Sequence, residues 1–264
     1  MRETPEQALR DGLVRQTSCY PLIPYSNRIA QGRFSFEGVE HRLALNFGDH
    51  PHAIHGNAWQ RPWQVVEADD ARCHLVLVHR PEGDEAGGWP FAYRAEQLFE
   101  LSPNGLTLTL FLENEDHRAM PAGLGLHPFF PKRPGVQLQF AAELVYLNGE
   151  DSLPTDGIPV PDDWNYRTMR ELGEPRLDNC FAGWDGTARI AYNQEKIALS
   201  IEADPRFGHL VVYVPTGRDF FAVEPVSHMN DAISRPDPAG HGLRILQPGE
   251  RLTARVRFSV EALS

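Results

Sequence analysis

The chain is poor in cysteine, in long apolar runs and in positive charge, and each shortage excludes a class of protein. Cys19, Cys73 and Cys180 are the only cysteines, too few and too widely spaced for a disulfide framework or a zinc knuckle. No apolar run approaches the length of a membrane-spanning helix. A formal net charge of -11 argues against a nucleic-acid-binding surface and against attraction to anionic lipid. Neither nucleic acid nor membrane is therefore an expected partner.

Motifs for export and for nucleotide binding are also lacking. The first residues, 1–7, contain no apolar core of a signal peptide, which together with the cysteine count predicts a cytoplasmic location. Neither a phosphate-binding P-loop nor the glycine pattern of a dinucleotide-binding fold occurs. No Gly-x-Ser-x-Gly sequence of a serine hydrolase is present either.

The sequence reads as strands and turns after one short helix at 6–11. A hairpin is expected around Glu37-Gly38, and the clearest alternating strand, 106–112, follows a turn at Asn104-Gly105 where positive φ is expected. Further strands are predicted at 63–67, 72–79, 93–101, 136–140, 143–147, 187–192, 197–202, 209–214, 220–223 and 252–260. The 22 glycines and 22 prolines are dispersed, and no composition shift marks a boundary. The chain is therefore predicted to be a single all-β domain spanning 1–264, a sandwich or a barrel.

Two long polar segments, 80–89 and 151–176, are predicted to be surface loops at a strand end, where sites are usually built. Their conformations would then decide which substrate is accepted.

His127 is a candidate for acid–base chemistry. It follows a glycine-broken apolar run and precedes Pro128-Phe129-Phe130, which places it at the end of a strand beside aromatic rings. Histidine ordinarily titrates near neutrality. An aromatic surface beside such a group suits a sugar, which has an apolar face and a rim of hydroxyls. The alternative is a core histidine satisfied by a backbone hydrogen bond.

Three further polar residues lie among apolar neighbours. Glu224 follows an apolar strand, where partial burial would raise the carboxyl pKa and suit a general base; the alternative is a strand-end glutamate in water. Arg28 could hold hydroxyls or a carboxylate, or form a surface salt bridge. Asp178 could accept hydrogen bonds from two sugar hydroxyls, or only shape a turn.

The histidines at 50, 52 and 55 require a metal site to be considered. No third and fourth ligand is evident beside His50-Pro51-His52, and the residues after His55 include no nearby carboxylate. No metal site is predicted.

Five strings in this order resemble the aldose 1-epimerase (galactose mutarotase-like) family: Asn27-Arg28-Ile29, His55-Gly56, His127-Pro128-Phe129-Phe130, Asp178-Asn179-Cys180-Phe181 and Glu224-Pro225. Each string alone is weak, but together they span nearly the whole chain. The resemblance implies a large antiparallel β-sandwich, the galactose mutarotase-like supersandwich, with its site in a cleft on one sheet. It implies interconversion of the α and β anomers of a free aldose, a small-molecule sugar, without metal or organic cofactor.

The resemblance also implies roles for single residues. Glu224 matches the base that takes the C1 hydroxyl proton, and His127 matches the acid that protonates the ring oxygen. His55 matches a second histidine that hydrogen-bonds the sugar near the reacting centre. Because the acid and the base exchange roles, the Glu224 pKa is expected to be raised and that of His127 little changed, giving a bell-shaped pH profile.

Substrate-binding roles are implied for three more residues. Arg28, with its neighbour Asn27, matches the motif that holds the sugar, and Asp178 matches a carboxylate that grips hydroxyls away from C1. In relatives this arginine motif follows two or more strands, whereas Arg28 comes early here, so N-terminal strands are expected to be missing. The usual His-Pro-Tyr-Phe has Phe129 in place of tyrosine, which removes a hydroxyl and keeps the aromatic surface.

Two other functions stay open at this point. A mutarotase of a phosphorylated hexose would need cationic groups near C6, for which Arg33, Arg61 and Arg94 are candidates. A non-catalytic carbohydrate-binding module on the same scaffold would tolerate loss of the base or the acid. Both Glu224 and His127 are present, which favours the enzyme.

Overall fold

The computed structural model describes residues 1–263, which form 23 strands and very little helix. Within these residues the only α-helix is α1 (Glu6–Arg10), followed by Gly12 at φ 64°. Short 3₁₀ turns lie at Val14–Gln16, Ala30–Gly32, Ala58–Gln60, Gly83–Glu85, Asp162–Trp164 and Ala232–Ser234. The all-β prediction is confirmed.

The strands are, in chain order, β1 (Pro21–Leu22), β2 (Arg28–Ile29), β3 (Arg33–Phe36), β4 (Val39–Arg42), β5 (Ala53–Ile54), β6 (Gln64–Ala68), β7 (Arg72–His79), β8 (Tyr93–Ser102), β9 (Gly105–Asn114), β10 (Met120–Ala122), β11 (Gly125–Leu126), β12 (Phe129–Pro131), β13 (Gln137–Phe140), β14 (Leu144–Asn148), β15 (Pro154–Pro159), β16 (Arg170–Glu171), β17 (Asp178–Ala182), β18 (Thr187–Tyr192), β19 (Ile197–Ala203), β20 (His209–Tyr213), β21 (Phe220–Val226), β22 (Arg244–Leu246) and β23 (Arg251–Ala262).

Two large antiparallel sheets make up the body of the fold. One has eight strands in the order β1-β11-β21-β20-β17-β14-β15, with β12 also paired to β21. The other has nine, in the order β16-β13-β18-β19-β23-β9-β8-β7-β6. Alternate side chains of the central strands enter one hydrophobic cluster to which both sheets contribute, including Leu108, Leu110 and Leu112 of β9 and Val211, Phe221 and Val223 of the eight-stranded sheet.

Strands with clear alternation are predicted well, and turns less so. The predicted strands 72–79 and 187–192 coincide with β7 and β18. The expected positive φ at Asn104-Gly105 is wrong: Ser102 pairs with Gly105, and neither residue of the pair 104–105 has positive φ. Pro103 is a central residue of this two-residue turn, and its ring fixes φ at a negative value.

The second predicted loop is wrong in part. Segment 80–89 contains only a 3₁₀ turn, as expected, but segment 151–176 contains β15, which pairs with β14 at the edge of the eight-stranded sheet. Proline at both ends of β15 reads as turn sequence, and prolines are tolerated on an edge strand. The single-domain assignment and the missing N-terminal strands stay predictions.

Within residues 1–263, no helix has both the length and the apolarity needed to cross a bilayer.

Candidate active site

The six predicted site residues meet in one cleft on a face of the eight-stranded sheet. Its volume is about 690 Å³, within the range of pockets that bind small molecules. The residues that line it include Asn27, Arg28, His55, His127, Asp178 and Glu224.

Strand register explains why His127 and Glu224 meet. His127 lies in the short gap between β11 and β12, and both strands pair with β21. The register is the same on either side of the gap: Gly125 pairs with Val226, and Phe129 pairs with Ala222. His127 therefore lies opposite Glu224, and residues directly opposite each other share a face of the sheet.

The next row of the same sheet supplies the neighbouring wall of the cleft. Phe129 pairs with Ala222, Ala222 with Tyr213, and Tyr213 with Asp178. These positions are offset by two residues from Glu224 along β21, so they project to the same side. The sheet thus sets Asp178 and an aromatic surface beside the histidine–glutamate pair.

His127 and Glu224 are in direct contact and are almost completely buried. His127 Nε2 lies 3.3 Å from Glu224 Oε1, and the two side chains are 8% and 2% exposed. Their other polar atoms, His127 Nδ1 and Glu224 Oε2, are buried without hydrogen-bond partners among the described residues. Unsatisfied buried polar groups cost folding free energy, which proteins tolerate mainly at functional sites.

Burial shifts the two pKa values in opposite directions. Desolvation, with a smaller contribution from Asp178, raises the pKa of Glu224 well above its usual value. Desolvation, with help from the charge of Arg2, lowers the pKa of His127 to about 3. The predicted rise of the Glu224 pKa agrees with this direction. The expectation that the histidine pKa is little changed is wrong, because the ring is enclosed rather than at a solvated strand end.

His55 is held in one tautomer by the backbone of Asn27. The Asn27 backbone N–H donates to His55 Nδ1 at 3.0 Å, and the His55 backbone N–H donates to the Asn27 carbonyl at 2.8 Å. A neutral ring whose Nδ1 accepts must carry its proton on Nε2. Burial keeps the ring neutral by lowering the His55 pKa well below its usual value. His55 can therefore donate one hydrogen bond from Nε2 into the cleft.

Arg28 and Asp178 form an ion pair that lines the same cleft. The Arg28 guanidinium donates to Asp178 Oδ2 at 3.0 Å and to Asn27 Oδ1 at 3.1 Å. Arg28 is largely buried, whereas the Asp178 side chain is 37% exposed and remains open to a ligand. Sugar hydroxyls, which both donate and accept, match this mixed pair.

Aromatic rings cover the remaining walls. Phe129 stacks on His127 with ring centroids 4.3 Å apart, and Tyr20 lies 4.8 Å from the same histidine ring while stacking on Trp59. The sequence gives no local signal that Tyr20 belongs to the site. Its position just before β1, whose Pro21 pairs with Leu126, could have been found only from the strand pairing.

The outer part of the cleft is formed by other segments than the sequence predicts. Neither 80–89 nor 151–176 lines the cleft, and neither do Arg33, Arg61 or Arg94. Arg61 pairs with Glu85 and Arg94 with Glu96 instead. Segments 12–16 and 46–50, with residues 213, 218 and 220, form the rim.

The histidines near position 50 are engaged with protein atoms. His52 Nδ1 accepts from the Gln31 backbone N–H and its Nε2 faces the Asp151 carbonyl, while His50 Nδ1 accepts from the His52 backbone N–H. In the part of the chain that the structure describes, no group of three or more His, Cys, Asp or Glu is arranged to hold a metal ion.

The chain is similar in sequence and in structure to proteins of one family. The family model for aldose 1-epimerase matches residues 6–259. The uncharacterized protein YphB of Escherichia coli K12 is 34% identical, over 96% of this chain and 87% of its own. A crystal structure from Escherichia coli K12, described as a candidate aldose 1-epimerase, has a TM-score of 0.87 at 33% identity, covering 96% of this chain and 87% of that one.

A more distant structure supports the fold alone. A galactose mutarotase-like protein from Clostridium acetobutylicum has a TM-score of 0.83 at 18% identity, covering 100% of this chain and 84% of its own. The predicted galactose mutarotase-like antiparallel fold is confirmed.

Proposed function

This chain belongs to the aldose 1-epimerase family, and on that premise we propose that it is a mutarotase, an isomerase that interconverts the α and β anomers of an aldose whose C1 hydroxyl is free. The observation that carries the proposal is the contact of 3.3 Å between His127 Nε2 and Glu224 Oε1 at the buried end of the cleft. A base and an acid placed side by side are what ring opening and closure require.

The geometry of a hemiacetal fits adjacent rather than widely separated groups. Its two oxygens are bonded to the same carbon, so they lie closer together than a hydrogen-bond length. Two neighbouring side chains can therefore reach both. Glu224 takes the proton from the C1 hydroxyl as His127 gives one to the ring oxygen, and the ring opens. Rotation about C1–C2 followed by reversal of both transfers closes the ring on the other face.

The pair needs one proton in total throughout this cycle. Before opening, the proton is on His127 and Glu224 is a carboxylate; after opening, Glu224 is protonated and His127 is neutral. Burial favours uncharged groups. The raised pKa of Glu224 and the lowered pKa of His127 therefore both favour the second arrangement, with the proton on Glu224. Desolvation of the pair therefore raises the free energy of the charged arrangement relative to the neutral one, which accompanies the open-chain sugar.

The other cleft residues hold the sugar so that its C1 lies beside this pair. His55 donates from Nε2 to an oxygen near C1, and Arg28 with Asp178 binds hydroxyls farther away. Asn27 fixes both His55 and Arg28 through its backbone and its side-chain oxygen.

Anomer exchange observed by NMR tests this function directly. Magnetisation transfer between the α and β H1 signals of glucose, galactose and arabinose is measured with and without protein. We expect acceleration of at least one sugar over the protein-free rate. A protein that binds sugars in calorimetry and accelerates none would instead be the non-catalytic binding module.

The pH dependence of kcat/KM should follow the fraction of molecules in which the His127–Glu224 pair carries one proton. Activity is lost when the pair gives up its proton, as pH rises through the raised pKa of Glu224, and when it gains a second, as pH falls through the His127 pKa of about 3. We therefore expect activity to decline as pH rises through the raised Glu224 pKa, and no loss on acidification through pH 6.5, where an ordinary histidine titrates. The exchange assay, corrected for the protein-free rate at each pH, measures this. An acidic limb centred near pH 6.5 would contradict the pair's protonation.

A further inference from the structure

The cleft is lined by more positive than negative charge. Arg2, Arg15, Arg28 and Arg218 line it, against two carboxylates, Asp178 and Glu224. Arg28 is paired with Asp178. Across residues 1–263, no ion pair includes any of the other three arginines. Three cleft arginines thus lack a salt-bridge partner within the described residues of a protein whose net charge is -11.

Arg2 and Arg15 are held together at one part of the rim. The Arg2 guanidinium donates to the backbone carbonyls of Thr17 and Arg15, and its Cζ lies 3.9 Å from the centroid of the Phe129 ring. The Arg15 guanidinium lies over the Phe47 ring at 4.9 Å. Stacking fixes the planes of these side chains while leaving N–H groups available.

Arg218 contributes to the rim from the turn between β20 and β21. It is exposed, close in sequence to the cleft residues Tyr213 and Phe220. An arginine without a carboxylate partner presents a fork of donors that matches planar or tetrahedral oxyanions. The neutral hydroxyls of the sugar already have partners in the cleft, His55 near C1 and Arg28 with Asp178 farther away.

We propose that the substrate is an aldose that carries an anionic substituent away from C1, a phosphate or a carboxylate, and that Arg15 and Arg218 bind this group at the rim while C1 meets His127 and Glu224. This inference rests on the proposed function. The acidic remainder of the surface repels anions in general, so the field of the arginines also directs such a sugar into the cleft.

Paired substrates test the charge preference. Anomer exchange is measured with glucose, glucose 6-phosphate and glucuronate, and with the corresponding galactose series. We expect kcat/KM for an anionic sugar to exceed that for its neutral parent by about tenfold or more at low ionic strength, and the excess to shrink as salt is added. A preference for the 6-phosphate or for the uronate identifies which anion is bound.

Arginine variants then assign the preference to the rim. The double variant Arg15→Gln/Arg218→Gln is expected to lower the ratio of anionic to neutral kcat/KM by about tenfold. Arg244 is exposed, unpaired within residues 1–263 and outside the cleft, so Arg244→Gln is the matched control and should leave the ratio unchanged. Equal use of neutral and anionic sugars, or an unchanged ratio in the double variant, would overturn the proposal.

Failure of the proposed function has a different signature. If wild-type protein accelerates none of these sugars, it is not a mutarotase for them. Calorimetric affinities for the same neutral and anionic sugars then decide the charge preference by themselves: tighter binding of the anionic member that is lost in the double variant supports the rim site, and equal affinities refute it.

Discussion

Glu224→Gln is expected to lower kcat for anomer exchange by about 10²–10⁴-fold, because an amide cannot accept the C1 hydroxyl proton. Glutamine has nearly the same shape, so the cleft and the fold should persist. Residual sugar binding, measured by calorimetry, should stay within a few-fold of wild type. The exchange assay with the preferred aldose measures the loss.

The same substitution should stabilise the protein. The Glu224 pKa is raised in the folded state, so the carboxyl favours folding below its unfolded pKa, and that contribution is lost as pH rises through the folded value. Glutamine does not titrate, so the gain in stability of the variant should grow with pH to about 0.5–2 kcal/mol. Thermal unfolding at acidic and alkaline pH measures this.

A glutamate outside the cleft provides the control. Glu100 of β8 is exposed and forms no ion pair within the described chain, so Glu100→Gln should leave kcat unchanged. An active Glu224→Gln protein would remove this residue from the reaction. Reduced stability at alkaline pH would contradict the raised pKa.

His127→Gln is expected to reduce kcat by a similar factor, about 10²–10⁴-fold, while sugar binding persists. Glutamine is chosen because its amide nitrogen reaches the position of Nε2, the atom that faces Glu224. An amide does not transfer its proton at neutral pH, so the ring oxygen of the sugar would lack an acid. Exchange rates and calorimetric affinity together separate lost chemistry from lost binding.

His209 offers a matched substitution, because it is also a buried histidine whose pKa is lowered, to about 4, by burial. It does not line the cleft. His209→Gln should therefore alter Tm and leave kcat within a few-fold of wild type. Equal losses of kcat in the two histidine variants would indicate a general effect of buried substitution rather than acid catalysis.

Short motifs and the alternation of apolar and polar residues predicted much of the fold and of the cleft. Period-two alternation located long strands of the nine-stranded sheet, and in β9 buried side chains do alternate with partly buried ones. Glycine, proline and aromatic neighbours made His127 conspicuous. The order of the five strings indicated the family and therefore the cleft.

Long-range register and burial could not be predicted in the same way. The pairing of β11 and β12 with β21 places His127 opposite Glu224, and this depends on contacts between residues far apart in sequence. The low pKa of His127 follows from enclosure by Tyr20 and Phe129, which a local pattern does not reveal. Arg15 and Arg218 likewise look like ordinary surface arginines until the fold brings them to one cleft.

The double variant Glu224→Gln/His127→Gln, assayed by anomer exchange beside both single variants, tests most directly whether the two side chains act as one catalytic unit. If each proton transfer is useless without the other, the double variant should be no slower than the slower single variant, within about threefold. If the two losses multiply instead, the glutamate and the histidine act independently, and a shared proton between them is not the basis of catalysis.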